Sequence, residues 1–161
     1  MIGTKFYKSE FDAGAYKTAA RWCNETQKAR IVERDKYYEV EALPEPTFDE
    51  LKALKNAAIA AARYDAETAG TTVNGVLIDT GRDSQALITG AALAAVIDSS
   101  YSLNWKTTSG FIHLTAPEII AVAQAVRAHV QSCFDREGEL VALVDAAQNA
   151  EELDAIEIVF E

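Results

Sequence analysis

The sequence contains few of the residues from which metal sites, disulfide frameworks and phosphate loops are built. Its 161 residues include two cysteines, two histidines and eight glycines, and no two glycines are adjacent. Metal sites usually need three or four converging ligands, disulfide-stabilised folds need several cysteine pairs, and phosphate loops need clustered glycines. We therefore expect no metal, no cofactor and no disulfide.

Candidate catalytic residues are equally sparse. His113 and His129 fall on different predicted elements, and Cys133 falls on an apolar helix face, where an inert core thiol is the expected state. The stretch Asp79–Asp83 places carboxylates four residues apart but lacks the other ligands of a calcium loop. Ser84 has no paired general base nearby in the sequence. The residues predict no catalytic site, and the chain is not expected to be an enzyme.

Long apolar runs and an excess of basic residues are also missing. No segment approaches 18 uninterrupted apolar residues, and the start from Met1 to Lys5 has no apolar run typical of a signal peptide. The net charge is −10, which disfavours binding to nucleic-acid phosphates. We expect a cytoplasmic protein that binds neither membranes nor nucleic acids.

Two prolines, Pro44 and Pro46, mark a boundary, because each disfavours helix in the residue before it. The part from 1 to 46 holds eight basic and eight acidic residues, whereas 47–161 holds seven and seventeen. Periodicity predicts a small β-α-β-β module for residues 1–46: a strand at 5–8, a helix at 12–24, and a hairpin of 29–33 with 37–41.

The part from 47 to 161 is predicted as an α+β domain in which two β-hairpins pack against three main helices. Asn74-Gly75 predicts the first hairpin turn, and Thr107–Gly110 predicts the second. The first helix is expected to end before Gly70, the second to use Asp83 as its N-cap, and the third to begin with a capping box at Thr115 and Glu118. Asn149 is expected to cap a last short helix.

The third helix, from about 116 to 148, is long enough to exceed one small sheet. Its apolar positions follow a spacing of alternately four and three residues, which is typical of a helix-helix contact, with an interruption at Glu137 and Gly138. Part of this seam, including Val130, Leu140 and Val144, must meet the first helix, another subunit or a partner. We name these three residues as candidate protein-binding positions.

Three apolar residues in a row, Ile158, Val159 and Phe160, follow the last predicted helix. Terminal segments are usually polar and frayed, so this run is expected to pair as a strand or to be buried against a neighbour. A second hypothesis is that it forms a self-association or partner surface with the outer part of the seam.

Several segments resemble a domain of unknown function that is common in tailed-phage and prophage genomes. They are Gly75–Gln85, Ile88–Ala91, Asn104–Thr107 with Gly110-Phe111, and Ala125–Val130. The resemblance spans about residues 48–157. This sequence departs from the family pattern at Gly81, where an acidic residue is frequent.

The resemblance implies a protein of the tail-fibre gene region, and the segment before Pro44 is similar to the leaders of small tail-region proteins. We therefore expect a non-enzymatic accessory factor of tail or tail-fibre assembly that binds another protein, with homo-oligomerisation as a further possibility. The alternatives are a permanent virion component and an enzyme with an unrecognised site. Fold and genomic neighbourhood do not by themselves fix function.

Overall fold

A computed structural model of the chain describes residues 1–107 and 110–160. The chain divides into two compact units, Met1–Thr47 and Phe48–Glu161. The elements occur in this order: β1 (Lys5–Tyr7), α1 (Ala13–Thr26), β2 (Ala29–Glu33), β3 (Tyr37–Ala42), α2 (Phe48–Thr68), β4 (Thr71–Val73), β5 (Val76–Ile78), α3 (Arg82–Ile97), β6 (Ser102–Thr107), β7 (Gly110–Thr115), α4 (Ala116–Ala146) and α5 (Ala150–Asp154). The predicted α+β class is confirmed, with 57% helix and 20% strand.

The first unit contains the predicted β-α-β-β order, with a short 3-10 turn after β1. Its antiparallel sheet has the strand order β1-β3-β2, so β3 is central. Asp12 caps α1 by accepting hydrogen bonds from the backbone N–H groups of Gly14 and Ala15 at 2.9 and 3.0 Å. The core of the unit forms where α1 covers the sheet, around Ala19, Cys23 and Val40.

The second unit has two separate antiparallel hairpins, β4-β5 and β6-β7. Asn74 and Gly75 have positive φ angles of 50° and 80°, which confirms the predicted tight turn between β4 and β5. Gly110, at the start of β7, has φ +121°, as the second predicted hairpin requires. The rest of that predicted turn, Thr108 and Ser109, lies outside the described residues.

The long helix α4 runs without a break from Ala116 to Ala146, including Gly138. Its predicted capping box is present: the backbone N–H of Thr115 donates to the Glu118 carboxylate at 2.8 Å. One core of the unit lies where α3 and the hairpins pack against the first half of α4, around Ile88, Ile119 and Val126. A second core lies where α2 and α5 pack against its second half.

Asp83 is not the N-cap of α3, contrary to the sequence prediction. The helix begins at Arg82 and not at Ser84, two residues earlier than predicted, with Gly81 at the cap position. Asp79 stabilises this start instead, because its carboxylate accepts hydrogen bonds from the N–H of Gly81 at 3.0 Å and from the hydroxyl of Ser84. Within the described residues, no helix is both long and apolar enough to cross a membrane.

Candidate functional site

A buried carboxylate, that of Glu67, lies at the end of α2 and is fully covered. Arg63, one turn earlier on α2, donates to Oε2 of Glu67, and Arg82 donates to the same oxygen at 3.1 Å. Gln85 donates through Nε2 to Oε1 at 3.1 Å. A buried charge is tolerated only when it is paired and hydrogen-bonded in this way. These contacts join α2 to the first turn of α3.

The surrounding groups determine the ionisation of Glu67. Burial opposes the charged form, but the hydrogen bonds from Gln85 and Arg63 and the charges of Arg82 and Arg63 outweigh it and lower the pKa of Glu67. Arg63 also donates through Nε to Glu137 at 3.0 Å, so α4 joins the same network. The negative charges of Glu67 and Glu137 are equal in number to the positive charges of Arg63 and Arg82. Glu67 therefore remains ionised and holds Arg82 in position.

Thr80 fixes the short segment of chain between β5 and α3. Its buried hydroxyl donates to the carbonyl of Glu67 at 2.6 Å and accepts from the N–H of Gly70 at 2.9 Å. Gln85 donates to the carbonyl of Thr80 at 2.8 Å. The start of α3, and with it Arg82, is therefore fixed by main-chain as well as side-chain contacts.

A groove of about 450 Å³ lies between α3 and α4 beside this network. Its polar lining comes from Arg82, Gln85 and Thr89 on α3 and from Arg127 on α4. Its floor is apolar and is formed by Ala86, Ile88, Ala123, Val126 and Val130. The groove follows about two helical turns, since Arg82 and Thr89 are seven residues apart.

The side of α3 that faces away from the core is apolar as well. Residues 84–97 contain no charged residue. Leu87, Leu93, Val96 and Ile97 are exposed by 62 to 78%. We call the exposed set Ala86, Leu87, Gly90, Leu93, Val96 and Ile97 the outer face of α3. Because Ala86 also lines the groove, the two surfaces are continuous.

The spacing along the outer face matters for its possible partner. Ala86, Gly90, Leu93 and Ile97 follow a spacing of four, three and four residues, which is the spacing of a helix-helix seam. A helix that is apolar all round is normally covered on every side, and exposed contiguous apolar surface is typical of interaction sites. Sequence reasoning missed this surface, although the absence of charge over 84–97 could have indicated it.

The protein-binding residues named from the sequence lie in different environments. Leu140 and Val144 are buried against Ile59 of α2, and Val130 is 5% exposed, on the floor of the groove. These three are therefore core residues, because the seam of α4 is covered by the chain's own α2 and α3. They do not offer a free surface to a partner.

The apolar segment Ile158–Phe160 forms no strand. Ile158 and Phe160 are half-buried against the core of α2, α4 and α5, whereas Val159 is 50% exposed. Arg136 donates through Nε to the carbonyl of Val159 at 3.1 Å and thereby fixes the segment. A second cavity, of about 590 Å³, is lined by Val159 and Phe160 together with Ser132, Cys133, Arg136 and Glu157.

The histidines and the helix-borne thiol have structural surroundings. His129 Nε2 lies 3.1 Å from the carbonyl oxygen of Ala66, and His113 Nδ1 lies 3.3 Å from the side-chain oxygen of Asn104. Burial, followed by the charge of Glu67, raises the pKa of Cys133, which keeps this buried thiol protonated. Within residues 1–107 and 110–160, no three His, Cys, Asp or Glu side chains are grouped so that they could hold a metal ion.

Comparison with known proteins gives one match. A family model described as a domain of unknown function (DUF4376) matches residues 50–157, which covers α3, the groove and the outer face. No curated protein and no solved structure matches the chain.

Proposed function

Because the chain belongs to the DUF4376 family, whose function is unknown, we propose from its surfaces that it is a non-enzymatic protein-binding module. The single observation that supports this proposal is the outer face of α3. Leu93 and Ile97 are exposed by 62 and 78% on a helix with no charge from 84 to 97. Leaving such surface in water costs roughly 25 cal/mol per Å², so a partner that covers it gains that free energy.

The partner that fits this face is a protein rather than a small molecule. The outer face is a convex helix surface, whereas small ligands occupy concave sites. Its four-three-four spacing fits a second helix laid along α3. A docked amphipathic helix would contact Gly90 closely, since glycine has no side chain to hold the two backbones apart.

The biological setting of the proposal comes from the resemblance of Gly75–Gln85 and the other segments to a phage and prophage domain. We place the binding module among the accessory factors of tail or tail-fibre assembly, with a tail or tail-fibre protein as its partner. An assembly factor releases its partner after assembly, which suits a modest helical contact better than a large permanent interface.

The test is co-expression of the tagged chain with the tail-fibre proteins of a phage that encodes it. Leu93→Glu places a charge at the centre of the outer face and should abolish co-purification. Leu54→Glu is the matched control, because Leu54 is also a helical leucine and is 63% exposed, on α2. Equal capture by both variants would overturn the proposal.

A second measurement separates an assembly factor from a virion component. Purified particles from an infection are probed with an antibody against the chain. An assembly factor is absent from mature particles, and a structural component is present in them. Detection of the chain in particles at the stoichiometry of a tail protein would replace the accessory role by the structural one.

A further inference from the structure

The groove between α3 and α4 differs in charge from the rest of its unit. Residues 47–161 carry seven basic and seventeen acidic residues. Both charged residues that line the groove are nevertheless arginines, Arg82 and Arg127. A cationic groove on an acidic unit selects for an anionic group and repels other acidic surfaces.

Arg82 is held in a fixed position before any ligand arrives. Its Nη2 donates to the buried Glu67 at 3.1 Å, and its guanidinium lies 5.8 Å from the centre of the Tyr64 ring. The Arg82 side chain is still 55% exposed, and a guanidinium has five N–H donors, of which this contact uses one. A side chain that is already ordered loses less conformational entropy when it binds a ligand.

Arg127 is the second cation of the groove. It is exposed on α4 and makes no ion pair with the residues that the structure describes. Within residues 1–107 and 110–160, no carboxylate neutralises its charge. Arg82 and Arg127 both line the groove, so their guanidiniums supply hydrogen-bond donors beside its apolar floor.

We infer that this groove binds a carboxylate side chain of an acidic, amphipathic segment of the partner. This inference rests on the proposed function, because the groove and the outer face of α3 share Ala86 and would be covered by the same partner. The partner's Asp or Glu would pair with Arg82 and Arg127, and its apolar neighbours would contact Ala86 and Ala123, the lining alanines that are not buried. Guanidinium and carboxylate groups match in geometry and can form paired hydrogen bonds.

A carboxylate fits these surroundings better than a nucleic-acid or lipid phosphate. The net negative charge of residues 47–161, with seven basic and seventeen acidic residues, would repel a polyanion, and nucleic-acid binding relies on many cations. A single carboxylate among apolar side chains uses the two arginines together with the accessible alanines of the floor, Ala86 and Ala123. The floor has no donor for a second anion.

The probe for this inference is a random displayed peptide library selected on the full chain. Selected peptides should be enriched in Asp or Glu next to apolar residues. A synthetic copy of one selected peptide should bind Arg127→Glu at least about tenfold more weakly than the parent chain. Lys106→Glu is the matched control, since it makes the same charge change on an exposed residue of β6 outside the groove.

Amide chemical shifts locate the bound peptide. Titration of the labelled chain should move the signals of Thr89, Ala123 and Arg127, and replacing the peptide's acidic residues by Asn or Gln should weaken its binding by a similar factor. The inference is overturned if no peptide is selected, if the selected peptides have no acidic bias, or if they bind Arg127→Glu as tightly as the parent.

The same variants distinguish this inference from the proposed function. If Arg127→Glu still captures the tail-fibre protein while Leu93→Glu does not, the outer face binds the partner and the carboxylate assignment alone fails. If the Leu93→Glu variant also captures the tail-fibre protein, the proposed function itself is contradicted. Loss of capture in both variants, with Lys106→Glu and Leu54→Glu unaffected, supports both.

Discussion

Arg82, the first residue of α3, donates through Nη2 to the carboxylate of Glu67 at the end of α2, at a distance of 3.1 Å. The β4-β5 hairpin lies between the two residues in the sequence, and their contact brings the two ends of this segment together. The pair therefore does two things. It compensates a carboxylate that would otherwise be buried alone, and it fixes the arginine at the rim of the groove.

The first prediction concerns the removal of this charge. Glu67→Gln leaves Arg63 and Arg82 without their shared anion and should lower the free energy of unfolding by roughly 3 kcal/mol. Urea denaturation measures the change as a shift in midpoint at constant slope. Glu139→Gln is the control, because Glu139 is 67% exposed in its pair with Arg136 and should change stability by less than about 1 kcal/mol. Equal effects of the two substitutions would contradict the assigned role of Glu67.

The second prediction is the pH dependence that follows from the same carboxylate. The pKa of Glu67 is lowered from 4.5 in the folded state, so the unfolded chain binds this proton more readily. Its contribution to stability is complete above about pH 4.5 and is lost as the pH falls through the folded pKa. Urea midpoints between about pH 7 and about pH 3 should fall less steeply in Glu67→Gln than in the parent chain. Parallel curves would refute the prediction.

Local chemistry made much of the fold predictable. Asn74-Gly75, Asp12 and the pair Thr115 and Glu118 each act through neighbours within a few residues, and each has the predicted conformation or hydrogen bonds. The start of α3 was misplaced because Asp83 and Asp79 are both suitable capping residues by type. The competition between them depends on the path of the chain after β5, which the sequence pattern does not specify.

The candidate site was much less predictable than the fold. From the sequence, Glu67 is expected to be one of many solvent-facing acidic residues on a helix. Its burial depends on Arg82 and Gln85, which are 15 and 18 residues away. The seam residues Leu140 and Val144 were recognised as contact residues, but periodicity does not say which helix makes the contact. The structure shows that it is α2, through Ile59.

The third prediction tests the first hairpin turn. Gly75 has φ +80°, a conformation that disfavours β-branched residues. Gly75→Val should therefore destabilise the chain by about 1–2 kcal/mol. Gly138→Ala should have the opposite sign and stabilise by about 0.5–1 kcal/mol, because Gly138 lies within α4 and an added Cβ meets nothing there. Thermal unfolding of both variants is the measurement, and a Gly75→Val chain that melts with the parent would refute the predicted cost.

The fourth prediction is that a chelator leaves the melting temperature of the chain unchanged. A metal bound by the folded state stabilises it by mass action, so removal of a resident ion would lower the melting temperature. Scans with and without EDTA, after dialysis against metal-free buffer, are the measurement. A drop of several degrees in the EDTA sample would show a resident ion.

The last prediction separates the role of the apolar segment after α5 from that of the outer face of α3. A variant that ends at Ala155 loses Ile156, Ile158 and Phe160, which pack against the core of α2, α4 and α5. Full burial of such side chains contributes about 1.5–3 kcal/mol each. Because these are half-buried, the variant should lose about 2–4 kcal/mol in total.

The shortened variant and the full chain should have the same number of subunits, because the segment contacts its own chain. Light scattering measures this number through the mass of each. Phe160→Ala should lower the unfolding midpoint in the same direction, whereas Val159→Ala should change it little, because Val159 is 50% exposed. If the shortened variant instead keeps its stability but changes its subunit number, the segment is an association surface. In that case the partner-binding role moves from the outer face of α3 to residues 156–160.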